Sequence, residues 1–289
     1  EGVLKWEGRM EELLSNQPDE ARERILRFFS DANAWHVKYD GSVVHALRAV
    51  SHDKRRVELL TKLERWQESG ETMHTVALNL LAASRRHDTE AASDLMLEAL
   101  QYCQRAMEVG NVHGISSLQC SGSSTAGKVM MEIGMGDVGV PCLRRALHLS
   151  EDRESELINL QCLTKALIET NALEEAAELL VRFRAAGKAE SQRGGNISIW
   201  ELDSLQASAL LHEARGKPSE AADDVRALLL CVHEIEARHL PGVTPRLLHN
   251  LLSDAASSLK QVLDLDSGDR QLAQSVAARL ARLASQMRQ

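Results

Sequence analysis

The sequence predicts an all-α chain, a solenoid of stacked antiparallel helical hairpins. Three observations carry this reading. Of 289 residues, 44% are hydrophobic and 26% charged, the balance of a globular chain rather than a disordered one. The dominant residues, Ala, Leu, Glu, Arg and Gln, are the best helix formers, whereas 17 Gly and 5 Pro are too few for the turns of a compact all-β protein. A helix–turn–helix unit also recurs along the second half and more of the chain.

Taken in order, Trp6, Met10, Leu13 and Leu14 mark one amphipathic helix, and Ile25, Leu26, Phe28 and Phe29 mark another. Pro18 suits the first position of that second helix, which is expected to run to about Ala32. Asn33 to Gly41 reads as a loop. Val43 to Trp66 gives one long helix or two short ones, with Leu59, Leu60 and Leu63 on the buried side. Farther on, Leu167, Leu179, Leu180 and Phe183 keep helical spacing, and Gly70, Gly110, Gly187 and Gly216 each follow a helical run, where a stop signal belongs. Ten to thirteen helices and no sheet are expected.

The recurring unit is a helix, a short turn with Gly or Asn, and then a Glu-Ala opening of a second helix. Thr170–Ala176 and Arg215–Ala221 show it most clearly, with Arg86–Ala92, Gly134–Gly139 and Ser267–Ala273 as further copies. A small residue sits early in each second helix, at Ala92, Gly139, Ala176, Ala221 and Ala273, where it lets two antiparallel helices cross closely. One hairpin has too little core to stand alone, so hairpins stack.

This pattern resembles the tetratricopeptide repeat (TPR) family, in the turn, the Glu-Ala opening and the later Ala-Leu pairs Ala99-Leu100 and Ala146-Leu147. Leu160, Leu163 and Leu167 match the large apolar positions of the family's first helix. The resemblance covers about residues 72–289, as roughly five hairpins with units longer than the family's ~34 residues, and residues 1–71 are expected to be further hairpins or a cap. The large aromatics of the family's first helix are mostly missing, and no Pro closes a unit on schedule. The resemblance implies a right-handed α-solenoid and a protein-binding scaffold or adaptor.

Charge narrows the function classes. There are 34 basic and 42 acidic residues, net −8, spread evenly, so no segment suits a nucleic-acid backbone. Aromatics at 3% argue against a stacking platform for single strands. No apolar run approaches a membrane span. Cys103, Cys120, Cys142, Cys162 and Cys231 are odd in number, with no CxxC pair, which reads as reduced thiols and an intracellular, cytoplasmic setting. The Asn196-Ile197-Ser198 sequon is discounted on that ground, and the missing initiator Met points to a piece of a longer protein.

Several motifs could carry chemistry. Gly122–Lys128 matches a phosphate loop except that Val129 stands where a Mg²⁺-binding hydroxyl belongs, and Gly134–Gly139 matches a dinucleotide fingerprint. Both require a strand before the loop; for the first the only candidate is Ile115–Cys120, and for the second Val129–Ile133 lies on the helix that the first would require, so the two readings conflict. His233 and His239 lie about 240° apart on a helix, the wrong spacing for a zinc pair. Cys120 reads as a thiol at a tight helix contact rather than a nucleophile. Ser121–Thr125 is a phosphorylation site or a weak helix start. The pairs Glu174/Glu175 and Asp223/Asp224 fit helix starts, and Arg144/Arg145 and Lys54/Arg55/Arg56 fit solvated faces.

The expected function is therefore non-enzymatic: binding of a peptide or subunit in a concave groove, with no cofactor, no metal, no catalytic residue, no nucleic acid and no membrane. The alternatives are a nucleotide-binding enzyme built on Gly122–Gly139, or a regulatory or sensor domain of a larger protein. In a TPR solenoid the first helix of each hairpin lines the groove. In this register Lys128 and Lys165 share one place in successive units, Gln161 and Gln206 another, and Ser124 and Arg85 lie on the same faces. Two lysines and several amides in a net-acidic protein suit an acidic side chain of the partner; the other reading is that both lysines are ordinary solvent-exposed residues.

Overall fold

A computed structural model describes residues 9–15, 17–40, 43–85, 89–194, 197–238, 248, 249, 253 and 267–286. Among these residues there are twelve helices and no strand. The chain forms two compact units, residues 1–155 and 156–289, a division that the sequence reading did not draw.

The first unit holds α1 (Met10–Ser15), α2 (Asp19–Asp40), α3 (Val43–Lys62), α4 (Trp66–Ser84), α5 (Thr89–His113), α6 (Ser116–Glu132) and α7 (Gly136–His148). From α2 to α7 each helix packs on the next, and α4 also packs on α6. Val50, Val76, Leu80, Ala99, Cys103 and Val129 form the central core, and Met10, Leu14, Leu26 and Phe29 a smaller one at the N-terminal end. Trp6 lies outside the described residues.

The helix opened by Pro18 is longer than expected. The Pro18 carbonyl accepts from the amides of Ala21 and Arg22, and α2 then runs through Asp40, across the stretch read as a loop. Asn33 explains part of this. It is fully buried, its amide donates to the Phe29 carbonyl one turn back (2.8 Å), and its Oδ1 lies 2.6 Å from His45 Nδ1 on α3. A polar residue that reads as a breaker is here satisfied by the helix and its neighbour. Arg56 corrects the reading of Lys54–Arg56 as a solvated run: it pairs at 2.6 Å with Glu23, a buried acid that Arg65 also faces.

The second unit takes α8 (Arg153–Glu169) from Glu156 onward, then α9 (Leu173–Gly194), α10 (Ile199–Ala214), α11 (Pro218–Arg238) and α12 (Ser267–Gln286). Helices α9, α10, α11 and α12 pack in sequence, and Arg182 of α9 donates to Glu156 of α8. Leu202, Val225, Leu228, Val232, Val276 and Leu283 are central to its core.

Five turns share one geometry. Arg65, Ile115, Met135, Ala172 and Lys217 each donate their amide to the carbonyl five residues back, at 2.7–2.9 Å. The residue before each has positive φ: Glu64, Gly114, Gly134, Asn171 and Gly216. This is the Schellman stop, which needs a left-handed residue and closes the orphan carbonyls of the last turn. Gly216 therefore stops a helix as expected, but Gly70, Gly110 and Gly187 do not: they lie inside α4, α5 and α9. They are there for close approach. A Cβ on Gly187 would lie 2.8 Å from the Trp200 carbonyl carbon, and one on Gly110 2.9 Å from the Ile115 oxygen.

The small residues Ala92, Gly139, Ala176 and Ala221 are all buried early in α5, α7, α9 and α11, each the second helix of a hairpin. The side-chain surroundings of Ala273 lie outside the described residues.

Candidate functional site

Helix α6 is an unlikely helix by composition, with five Ser, one Thr and two Gly in seventeen residues. Packing makes it one: residues 122–127 are all buried. Gly122 faces α5, where a Cβ would sit 2.6 Å from Met107 Cγ, and Gly127 faces α7, where a Cβ would sit 2.6 Å from Leu143 Cγ. The α6–α7 crossing is reciprocal: a Cβ on Gly127 would lie 3.0 Å from the Gly139 oxygen, and a Cβ on Gly139 3.0 Å from the Gly127 oxygen. Cys120 Sγ contacts the Ala146 carbonyl at 3.3 Å, the tight helix contact expected of it.

These contacts account for both glycine-rich motifs. Ile115–Cys120 is a turn and a helix start, not a strand, and Gly122–Lys128 lies inside α6, where backbone amides are spent on the helix ladder. Gly134–Gly139 is the turn into α7. The motif glycines are crossing points of helices. Ser121–Thr125 lies in the middle of α6 and is not a helix start, and Ser123, Ser124 and Thr125 are buried, whereas Ser121 is half-buried.

The remaining face of α6 carries Ser117, Ser121, Ser124 and Lys128, spaced four, three and four residues apart and so on one stripe. It lies opposite the side that Gly122, Ala126 and Gly127 turn to the second helices α5 and α7. Lys128 is half-buried, and the buried Ser124 Oγ has no hydrogen-bond partner among the described residues. Beside the stripe, His74 Nε2 on α4 is hydrogen-bonded to Thr125 Oγ1 at 2.8 Å. Burial, and then the charge of Lys128, push the His74 imidazole down to about 4, so the ring is neutral at neutral pH. Arg85, at the end of α4, pairs with Glu132 at the end of α6, with Nε at 3.0 Å from its carboxylate.

In the second unit Lys165 Nζ donates to Gln206 Oε1 at 2.7 Å, joining α8 to α10. Gln206 is buried and Gln161, one turn before Lys165, is half-buried. Of the six residues singled out in the sequence, the structure thus joins Lys165 to Gln206, sets Ser124 and Lys128 on one stripe, and commits Arg85 to Glu132. His74 and Thr125 were missed. The available signal was weak: His74 follows Gly70 by four residues, and Gly70 marks the face of α4 that closes on Leu118 of α6.

Elsewhere, Asp224 is not a helix-start carboxylate: it is buried inside α11, 2.9 Å from His212 Nδ1 and 3.7 Å from Arg184. His233 Nδ1 lies 2.6 Å from Arg279, while His239 and Asn196 lie outside the described residues. Burial pushes the Cys103 thiol up to about 12 and Cys231 to about 11, so neither is a ready nucleophile. Among the described residues no group of three His, Cys, Asp or Glu could hold a metal ion, and no helix is long and apolar enough to cross a membrane.

No protein-family model matches the chain, and no curated protein matches it. Among solved structures it is similar to a Podosopora anserina protein named for kinesin light chain with nearly identical TPR-like repeats, at 18% identity and a TM-score of 0.55, over 75% of this chain and 98% of that one. It is also similar to aspartyl phosphate phosphatase F from Bacillus subtilis, at 15% identity and a TM-score of 0.42, over 93% of this chain and 70% of that one. The first likeness shows the fold, a TPR-like helical repeat.

Proposed function

We propose that this chain is a non-enzymatic interaction scaffold or adaptor that holds a peptide segment or neighbouring subunit on the free faces of its inner helices. The observation that carries the reading is the stripe on α6. Its hydroxyls and the Lys128 ammonium lie on the side of α6 turned away from the crossings with α5 and α7, beside the neutral His74, with Ser117 exposed, Ser121 and Lys128 half-buried and Ser124 buried. A cation among small hydroxyls within a protein of net charge −8 favours an acidic group of the partner. Lys165 with Gln206 and Gln161 offers a second cation with amides in the second unit. The reading extends to a cytoplasmic protein without nucleic-acid or membrane partners, and to a cap or further hairpins over residues 1–71 before the repeats of 72–289.

A nucleotide-binding enzyme is disfavoured by the same helix, since a phosphate cradle needs free backbone amides. The reading is tested by capturing partners with the wild-type protein and with a Lys128→Glu, Lys165→Glu double variant. Captured partners should bind the variant at least tenfold more weakly, with a reduced salt dependence and unchanged helix content. Equal affinity and equal salt dependence in an intact variant would sink the assignment of the binding face.

A further inference from the structure

On another side of the first unit, α3, α4 and α5 enclose an open cleft of about 280 Å³. Its floor is Met73 and Val109, part of an apolar cluster with Val57, Ala106 and Tyr102. One wall is aromatic: the rings of Trp66 and His113 stack with centroids 4.5 Å apart and planes 13° from parallel. Trp66 opens α4 and His113 ends α5, so this stack clasps the open end of the α4–α5 hairpin.

The rim carries two charges, Arg105 and Glu108. The Arg105 guanidinium lies over the Tyr102 ring, 5.0 Å from its centroid, and among the described residues no carboxylate pairs with it. That contact engages no acceptor oxygen, so the guanidinium keeps N–H donors for an anion. Glu108 is engaged along the helix, accepting from Gln104 Nε2 at 2.8 Å.

We propose that this cleft binds a single flat ring that carries one carboxylate. The ring lies against the Trp66–His113 wall above Met73 and Val109, and the carboxylate takes the in-plane donors of Arg105. Three features fix that class. The volume falls just below the ~300–1,000 Å³ of ordinary ligand pockets, room for one ring and not for a nucleotide. The stacked pair leaves an outer ring face on which a further flat ring can stack. A planar fork of donors without an acceptor suits a planar anion. This site is separate from the α6 stripe, and nothing in it depends on a protein partner.

The test uses 3-phenylpropionate as the probe and 3-phenylpropylamine as its cationic counterpart, in calorimetric titration and by following the His113 ring in NMR spectra. The acid should bind saturably and one to one, shift the His113 resonances, and bind at least tenfold more tightly than the amine. Arg105→Gln, an exposed change that leaves the core alone, should weaken it about tenfold; Trp66→Leu should weaken it too. Glu108→Gln should strengthen it a few-fold by removing the like charge on the rim, and Lys128→Glu should leave it unchanged. The proposal is overturned by no saturable binding of the acid, by an amine that binds as well as the acid, or by an Arg105→Gln variant that binds as the wild type does.

Discussion

Two residues sit where their chemistry works against the fold. Asp53 on α3 is buried, with Ser30 of α2 as its hydrogen-bond partner and Arg56 and Asp31 nearby, and burial pushes its carboxyl up to about 6. A raised carboxyl favours the protonated form, so its contribution to stability is fully present below pH 3.8 and is lost as pH rises through about 6. Asp53→Asn should therefore stabilise the protein at pH 7 by about 3 kcal/mol and change little at pH 3, which denaturant titrations at the two pH values will read. Glu64 is the second case. It holds φ 56 at the α3–α4 Schellman turn, where the other four turns use Gly or Asn. Glu64→Gly should gain about 0.5–1 kcal/mol and raise the melting temperature by a few degrees; an unchanged or lower midpoint would contradict the strain assigned to it. Such residues show why the sequence is only partly legible at this scale. Gly216 and Asn171 announce their turns because a helix start follows each at once. Glu64 announces nothing, since its left-handed backbone is imposed by the helices on either side.

For the helices, legibility depended on what a glycine is for. Gly216 and Gly187 look alike in the sequence, each at the end of an apolar run, yet one is a stop and the other a crossing point. The difference lies in what approaches from the next helix, which no local pattern records. The same ambiguity made Gly122–Gly139 resemble two phosphate-binding motifs, and Lys128 stood out as a candidate only because the repeat gave it a register. The crossings can be tested in pairs. Replacing a mid-helix Gly by Ala gains about 1 kcal/mol of helix propensity, against about 1–3 kcal/mol for overpacking. At Gly187 every near atom is backbone of Trp200 and Glu201, which cannot move aside, so Gly187→Ala should be net destabilising. At Gly70 the near atoms are the Leu118 side chain, which can turn away, so Gly70→Ala should cost less. Thermal melts of the two variants give the order, and a Gly70→Ala that is the more damaging would reverse the argument.

At the scale of the whole chain, helix contacts join neighbours, or next neighbours within the stack, and the chain divides into two compact units. Stability is then close to a sum of hairpins and their interfaces rather than one all-or-none quantity. Scanning calorimetry should give a calorimetric enthalpy clearly above the van't Hoff enthalpy of the same transition; equality of the two would mean that the chain melts as one block. The all-helical class was readable at this scale because composition and the recurring turn agree, whereas the division at Ser155/Glu156 leaves no mark in composition, being set by where contacts thin out. Contacts confined to neighbours also set an order in time. Low separation along the chain between touching residues makes for fast folding, because little loop closure precedes each contact. As the chain leaves the ribosome, α2 and α3 can dock on each other before α6 has been synthesised, and each later helix meets a surface already formed. The polar, glycine-rich α6 has a weak helical preference of its own, and it emerges only after α4 and α5 are in place to hold it.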